Sequence, residues 1–461
     1  MSAIDMTMTC MVNTTAINIL ENNKTSLSIL SPTANYTGKC KNSDNPDYPN
    51  IDYGGKLLWT QKEQNLVFAG AFWGAFLSVL PSMFLLQTYS VKKILFVALL
   101  TYTVANSFIP LAAKLGGYQA AFLLRFILGL GDGFVTPTIN TLISNWFPVS
   151  ERGTALALNA IGEQIAGVGE SPLAAVFCKS SLGWSSVFYL GSIISIVWCV
   201  LWVVIASSSP NSCKTITDEE KRFLIWTNET QNEKTGKSWK DVPFKNIFTS
   251  IPFLAQLQCH FLMCFSAALM GTYLPTYLKE VLLLGVMANG IFVSLPNFVN
   301  LAAKIIWGML FDKLKEKGLL SPTASVKISQ AVSSYGMALS FIGLAYLVDC
   351  EKPMLALVLC CTLYACQGIE CSGFVTSLLS IAPNYTSTLS SISLFCAQMG
   401  IVTAPYVMTA LHNSRNGGWS IMFLTGAGAC SISGTIFILF GSGETQPWAR
   451  RDKNQLTMLN D

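Results

Sequence analysis

The sequence predicts an all-α membrane protein with eleven clear spans, and three observations carry that prediction. Of 461 residues, 51% are hydrophobic and only 12% are charged, about half the ~25% charge of a soluble domain. Mean hydropathy is +0.47. The apolar residues lie in continuous runs of roughly 18 or more, the length that crosses a bilayer as a helix, and not in the alternating pattern of an outer-membrane barrel. A soluble enzyme and a disordered chain are thereby excluded. A net charge of +4 gives no basis for nucleic-acid binding. The cysteines are scattered through the apolar runs, so the sequence suggests neither a disulfide framework nor a zinc site.

The runs fall near 66–87, 93–113, 118–141, 154–177, 185–206, 253–277, 284–310, 325–347, 354–380, 388–411 and 420–441. Five precede a polar stretch at 208–250 and six follow it. Ahead of the first run, only Met1 to about Val12 has the character of a helix end, and it contains Asp5. Twelve residues cover about 18 Å as a helix, short of the roughly 30 Å hydrocarbon core. The expectation is that most of a first helix is missing from this sequence. The chain therefore divides into a helix remnant and loop (1–61), an N-terminal bundle of helices two to six (62–207), a central loop (208–250), a C-terminal bundle of helices seven to twelve (251–442) and a tail (443–461).

Charge sets the orientation. Lys92 and Lys93, the lysines of the 208–250 loop, Lys313, Lys315, Lys317 and the tail residues Arg450, Arg451 and Lys453 all fall on one side, which the positive-inside rule makes cytosolic. The opposite side carries three Asn-X-Thr sequons in one loop, at Asn13, Asn23 and Asn35, which are glycosylation acceptors in a lumen or outside the cell. Asn228 and Asn384 also head sequons, but on the cytosolic side. The halves repeat each other: GWSSVFYLGS from Gly183 and GWSIMFLTGA from Gly418 each open the last span of a half. A duplicated six-helix unit is the pattern of two-lobed transporters.

Five segments in order carry a resemblance to a known family: FWG at Phe72, RFILGLGDG from Arg125, LPTYLKEVL from Leu274, IAPNYTSTLSSIS from Ile381 and GSGETQPWA from Gly441. The sequence resembles the major facilitator superfamily, and within it the anion/cation symporters, from about Trp59 to Trp448. The resemblance implies twelve helices in two six-helix bundles, working by alternating access. It also shows departures. Gln87 stands where relatives carry an acid in the first-half gating loop, whereas the second-half Asp312, in GMLFDKLKEKG from Gly308, is intact. Asp132 replaces a more usual Glu. Asn140 and Met263 stand where sialin-like members have His and vesicular glutamate transporters have Arg, which argues against sialic acid or glutamate as substrate.

Charges inside spans cost about 2.5–3.5 kcal/mol each at a helix centre on insertion scales and normally face a bundle interior or a wet cavity. Arg125 lies about seven residues into its helix, too deep to snorkel easily, and its guanidinium can grip a carboxylate or phosphate with two bonds. It is the candidate for the substrate anion, a role the resemblance also implies; the competing reading is a structural ion pair. Asp132, seven residues on, shares its face about 10 Å away. A carboxyl in a low dielectric can take up a proton, so Asp132, Glu370 and Glu163 are the candidates for coupling to H+ or Na+. Against this, Asp132 could be merely paired beside packing glycines, and Glu370 could be a partner for Lys304. Lys304 itself lies close enough to its helix end to snorkel. His260 is a lone histidine on a cavity-lining helix and reads first as a hydrogen-bonded packing residue. Arg125 and Glu170, and Asp132 and Glu163, are level in the hairpin around Pro148, so an ion pair and a like-charge couple are expected if the two helices face each other.

These readings describe a secondary active transporter that moves a small organic or inorganic anion with a proton or sodium gradient, in a plasma, lysosomal or vesicular membrane. It is not an enzyme, has no catalytic or metal site, no cofactor beyond the coupling ion and no nucleic-acid partner, and works as a monomer. Sodium–phosphate cotransport is the alternative within the class. A non-transporting sensor or scaffold is the alternative outside it, favoured by the missing first helix.

Overall fold

A computed structural model describes residues 3–14, 16–17, 53–147, 149–210, 213, 216–222, 224, 243–412 and 418–449. Asn23, Asn35 and Asn228 lie outside these residues. Among them run a short helix, α1 (Ala3–Met11), and eleven long ones: α2 (Gln61–Thr88), α3 (Val91–Leu115), α4 (Gly117–Trp146), α5 (Val149–Lys179), α6 (Ser185–Ile205), α7 (Ile251–Glu280), α8 (Val286–Glu316), α9 (Pro322–Tyr346), α10 (Pro353–Ile369 with Phe374–Ile381), α11 (Thr386–His412) and α12 (Gly418–Phe440). Nine of these are long and apolar enough to cross a membrane; α2 and α5 match the others in length. Each expected span has its helix, and most helices run several residues beyond the apolar run, because the helix continues past the hydrocarbon into polar turns. The described helices have the length and composition of an integral, multi-pass membrane protein.

The outer surface is apolar. On α6, Ile193, Ile194, Val197, Val200, Leu201 and Val204 are all exposed, as residues facing acyl chains are. Inside the first bundle, small residues let backbones touch. A Cβ on Gly129 would strike the Ala71 carbonyl of α2, and one on Gly131 the Ala98 carbonyl of α3. The GLGDG stretch is thus the seam along which α4 packs on both neighbours. The start of α2 is fixed by a capping box: Thr60 N–H donates to Glu63 Oε2 at 2.7 Å while Glu63 N–H donates to Thr60 Oγ1.

α10 breaks at a 3-10 turn, Glu370–Ser372, and restarts at Phe374. A restarted helix has amides without intrahelical acceptors. Gln330 of α9, fully buried, accepts from the Phe374 N–H at 3.1 Å.

The two bundles meet at the end opposite the basic loops. Asn65 of α2 donates to Thr409 of α11 at 2.8 Å and accepts from Tyr273 of α7 at 3.0 Å. Ser294 of α8 donates to the Val168 carbonyl of α5 at 2.5 Å. A Cβ on Gly290 of α8 would come within 2.8 Å of Ala175. Moving inward, Trp73 donates to Tyr406 at 2.6 Å, and Phe76 stacks on Phe395 with centroids 4.9 Å apart.

α1 is wedged into this closed end. Ile4, Met6, Met8, Cys10 and Met11 are all buried, and α1 packs on α5 and α7. Cys10 is disulfide-bonded to Cys178 at the far end of α5, and Cys350 is disulfide-bonded as well. The sequence suggests no disulfide framework and leaves the state of Cys40, Cys178 and Cys350 open; helix ends far apart in sequence are brought together by the fold, which spacing along the chain does not show. Residues 56 and 57 return across the end of α1, donating to the Met11 carbonyl, and Asn13 N–H donates to the Leu57 carbonyl at 2.9 Å.

Candidate functional site

The charged residues of the spans gather in two groups. The first surrounds Arg125 in the N-terminal bundle. α4 places Arg125 against Gly70 of α2, where a Cβ would lie 3.3 Å from the Arg125 Cβ, so a larger side chain would crowd the arginine stem. Arg125 is 3% exposed, and its Nε has no hydrogen-bond partner among the described residues. A buried guanidinium with an unused donor is costly unless an acceptor arrives. The anions acting on it are Asp5 first, then Asp132 and Glu170.

Asp5 is the residue that sequence reasoning missed. It lies on α1, inside an apolar stretch, and an acid there is itself a signal. The expected direct pairing of Arg125 with Glu170 is not formed. The salt bridges among the described residues, Lys315–Asp312 at 2.7 Å and Lys352–Asp349 at 3.6 Å, include neither residue. The reason lies in packing: α4 packs chiefly on α2 and α3, whereas α5 packs chiefly on α8 of the other bundle. A short connection makes two helices antiparallel without making them the closest neighbours.

The second group crosses between the bundles. Glu163 of α5 is acted on first by Lys304 of α8, and only then by Asp132, so the expected like-charge couple is subordinate to an opposite charge from the other bundle. Lys304 also acts on Glu370, whose Oε2 is buried at the break in α10 without a hydrogen-bond partner among the described residues. Lys304 thus lies within the field of both acids, although among the described residues it forms a salt bridge with neither.

The remaining candidates lie apart. His260 of α7 shares a hydrogen with Ser393 of α11 at 2.6 Å, and its ring lies 4.9 Å from that of Phe374. Gln256 donates to the same serine, the surroundings of a packing histidine. Asp312 is exposed at the basic end, in its bridge to Lys315. Asn13 accepts from the Ala16 N–H through Oδ1 at 2.7 Å, beside the closed end. Among the described residues no cluster of His, Cys, Asp and Glu is placed to hold a metal ion. A cavity of about 570 Å³ opens at the basic end, against Trp146, Trp202 and Leu224; it holds none of the candidate residues.

Comparison with known proteins agrees with this architecture. The model of the Major Facilitator Superfamily matches residues 23–405. An uncharacterized transporter of Caenorhabditis elegans, slc-17.3, is 42% identical over 462 residues, covering 98% of this chain and 86% of that protein. Human sialin is 30% identical over 402 residues, covering 87% of this chain and 79% of sialin. Among solved structures, a D-xylose-proton symporter superposes with a TM-score of 0.66 over 84% of this chain and 89% of that one, at 15% identity.

Proposed function

The chain belongs to the Major Facilitator Superfamily and, within it, to the anion/cation symporters; it is a membrane transporter, not an enzyme, and we propose that it moves a small organic or inorganic anion together with protons. The observation that carries this reading is the state of Arg125: buried, with an unused Nε donor and three carboxylates within its field. An anion can take the free donor in competition with those carboxylates. A proton taken up by one of them compensates the charge that the anion brings. The basic loops mark the cytosolic side, so the bundles are closed toward the lumen or exterior.

The test is uptake by the purified chain in liposomes, with radiolabelled inorganic phosphate and a set of small carboxylates. Proton and sodium gradients are imposed in turn. Uphill uptake of at least one anion under the proton gradient is expected. Uptake driven by sodium alone would move the reading to sodium–phosphate cotransport, and no uptake under either gradient would favour a sensor or scaffold. Orientation is checked separately: Gln at Asn13, Asn23 or Asn35 is expected to remove a glycan step each on a gel, and a glycan on Asn228 would invert the topology.

A further inference from the structure

The contact of α5 with α8 has a readable register. Gly290 meets Ala175 and Ser171, Ser294 meets Val168, and Asn297 lies 3.5 Å from a Cβ on Gly167. The two helices run antiparallel. Continuing toward the basic end, Lys304 is two turns beyond Asn297 on the same face of α8, and Glu163 is one turn beyond Gly167 on the same face of α5. Their Cα atoms are out of level by only ~5 Å at 1.5 Å per residue. Side chains lean toward the start of their own helix, so in an antiparallel pair Lys304 and Glu163 lean toward each other.

The other flank of Lys304 meets α10. Asn300, one turn before Lys304, donates to the Tyr364 carbonyl at 2.9 Å. A Cβ on Gly368 would lie 3.2 Å from the Lys304 backbone nitrogen. Two residues later Glu370 sits in the 3-10 turn, with Oε2 buried and no hydrogen-bond partner among the described residues. Lys304 therefore stands at the corner where an acid of the first bundle and an acid of its own bundle converge. The titratable groups facing it are Glu163 from α5 and Glu370 and Cys371 from α10. Toward α9, Trp307 of α8, about one turn beyond Lys304, donates to Ser329 at 3.0 Å.

We propose that Lys304 is a shared counter-ion whose ammonium passes between Glu370 and Glu163 as the bundles rock, so that the charge on Glu163 sets whether the basic end closes. In the open state of the basic end the ammonium turns to Glu370; in this structure it lies within the field of both acids and, among the described residues, forms a salt bridge with neither. Closing that end brings α5 onto α8 and delivers Lys304 to an ionised Glu163 across the interface. A proton on the Glu163 carboxylate removes the attraction and leaves the basic end free to open. The proton and the ammonium thus compete for one carboxylate, and proton binding becomes a step of alternating access. Lys304 is a positioning residue here; it does not touch the anion. The inference rests on the transporter reading above but not on Arg125 as the anion site.

Spin labels carried by unnatural amino acids at Phe147 and Lys313, at the basic ends of the two bundles, measure the separation in the full chain in nanodiscs, with no anion present. The wild-type distance distribution should shift to shorter distances as pH rises from 5 to 8. Lys304→Gln should abolish that shift, and Lys304→Arg should keep it. Glu163→Gln should hold the long, acid-like distribution at every pH. Glu370→Gln, by freeing the ammonium, should move the midpoint to lower pH. A Lys304→Gln protein that keeps the wild-type shift, or a Glu163→Gln protein that still closes at pH 8, would overturn the proposal. Arg125→Gln should leave the shift unchanged whatever it does to uptake, so failure of the anion-site reading and failure of this one are distinguishable.

Discussion

Arg125→Gln is expected to reduce anion uptake by about two orders of magnitude while leaving the protein folded and inserted. A hydrogen bond to a charged group contributes about 1.5–3 kcal/mol, and Gln cannot supply the two-pronged, permanently charged grip of a guanidinium. Arg125→Lys keeps the charge but loses the fork and should fall between the two. The competing explanation is that Arg125 only neutralises Asp5, its strongest anionic neighbour. The double variant Asp5→Asn, Arg125→Gln separates the two ideas. If neutralisation is the whole role, removing both charges restores uptake. If Arg125 holds the anion, uptake stays lost although the protein recovers any stability forfeited by the single variant.

Lys279→Met should open the end of the molecule that the structure shows closed. Lys279 is 2% exposed on α7, and its ammonium donates to the Thr9 carbonyl at 2.7 Å. That carbonyl belongs to the last turn of α1, where carbonyls lack intrahelical donors and the helix dipole is negative. The same ammonium lies over the Tyr53 ring, 4.9 Å from its centroid. Tyr53 in turn donates to the Leu284 carbonyl and accepts from Asn289 at 3.2 Å. Burial holds the Tyr53 hydroxyl up to about 12, against the opposing hydrogen bond from Asn289, so this phenol keeps its proton throughout the working pH range. Because Cys10 ties α1 to α5, Lys279 effectively clamps the second bundle to the first. Loss of a charge-assisted bond worth about 1.5–3 kcal/mol should shift the closed–open balance roughly 10- to 100-fold toward open. A cysteine introduced at Thr409, which is hydrogen-bonded to Asn65 across the closed interface, should react with an impermeant thiol reagent much faster in the Lys279→Met background than in the parent chain. Equal rates would show that the clamp contributes nothing.

The spans were legible because long apolar runs have few alternatives in a bilayer, and the paired Gly-Trp-Ser segments at Gly183 and Gly418 made the two bundles legible as well. Periodicity cannot say which neighbour a helix faces. That is why Glu170 was expected beside Arg125, whereas α5 turns to α8. The break in α10 left a faint trace: Gly368 and Gly373 bracket Glu370, and no proline marks the kink. Asp5 and the Cys10–Cys178 bridge were hidden for a related reason. A nine-residue helix has too little pattern to place, and its partners lie well over a hundred residues away. The individual charges were found from cost alone, since an ion in a span needs a reason to be there. Their grouping came only from the packing.

The most direct measurement of the account is proton movement coupled to the anion. Liposomes containing the purified chain and a trapped pH indicator are given, at zero imposed gradient, whichever anion the uptake panel identifies. The account predicts that addition of the anion acidifies the interior, that a proton ionophore dissipates this signal, and that Arg125→Gln abolishes it together with uptake. Anion uptake with no acidification, at wild-type rates, would contradict it.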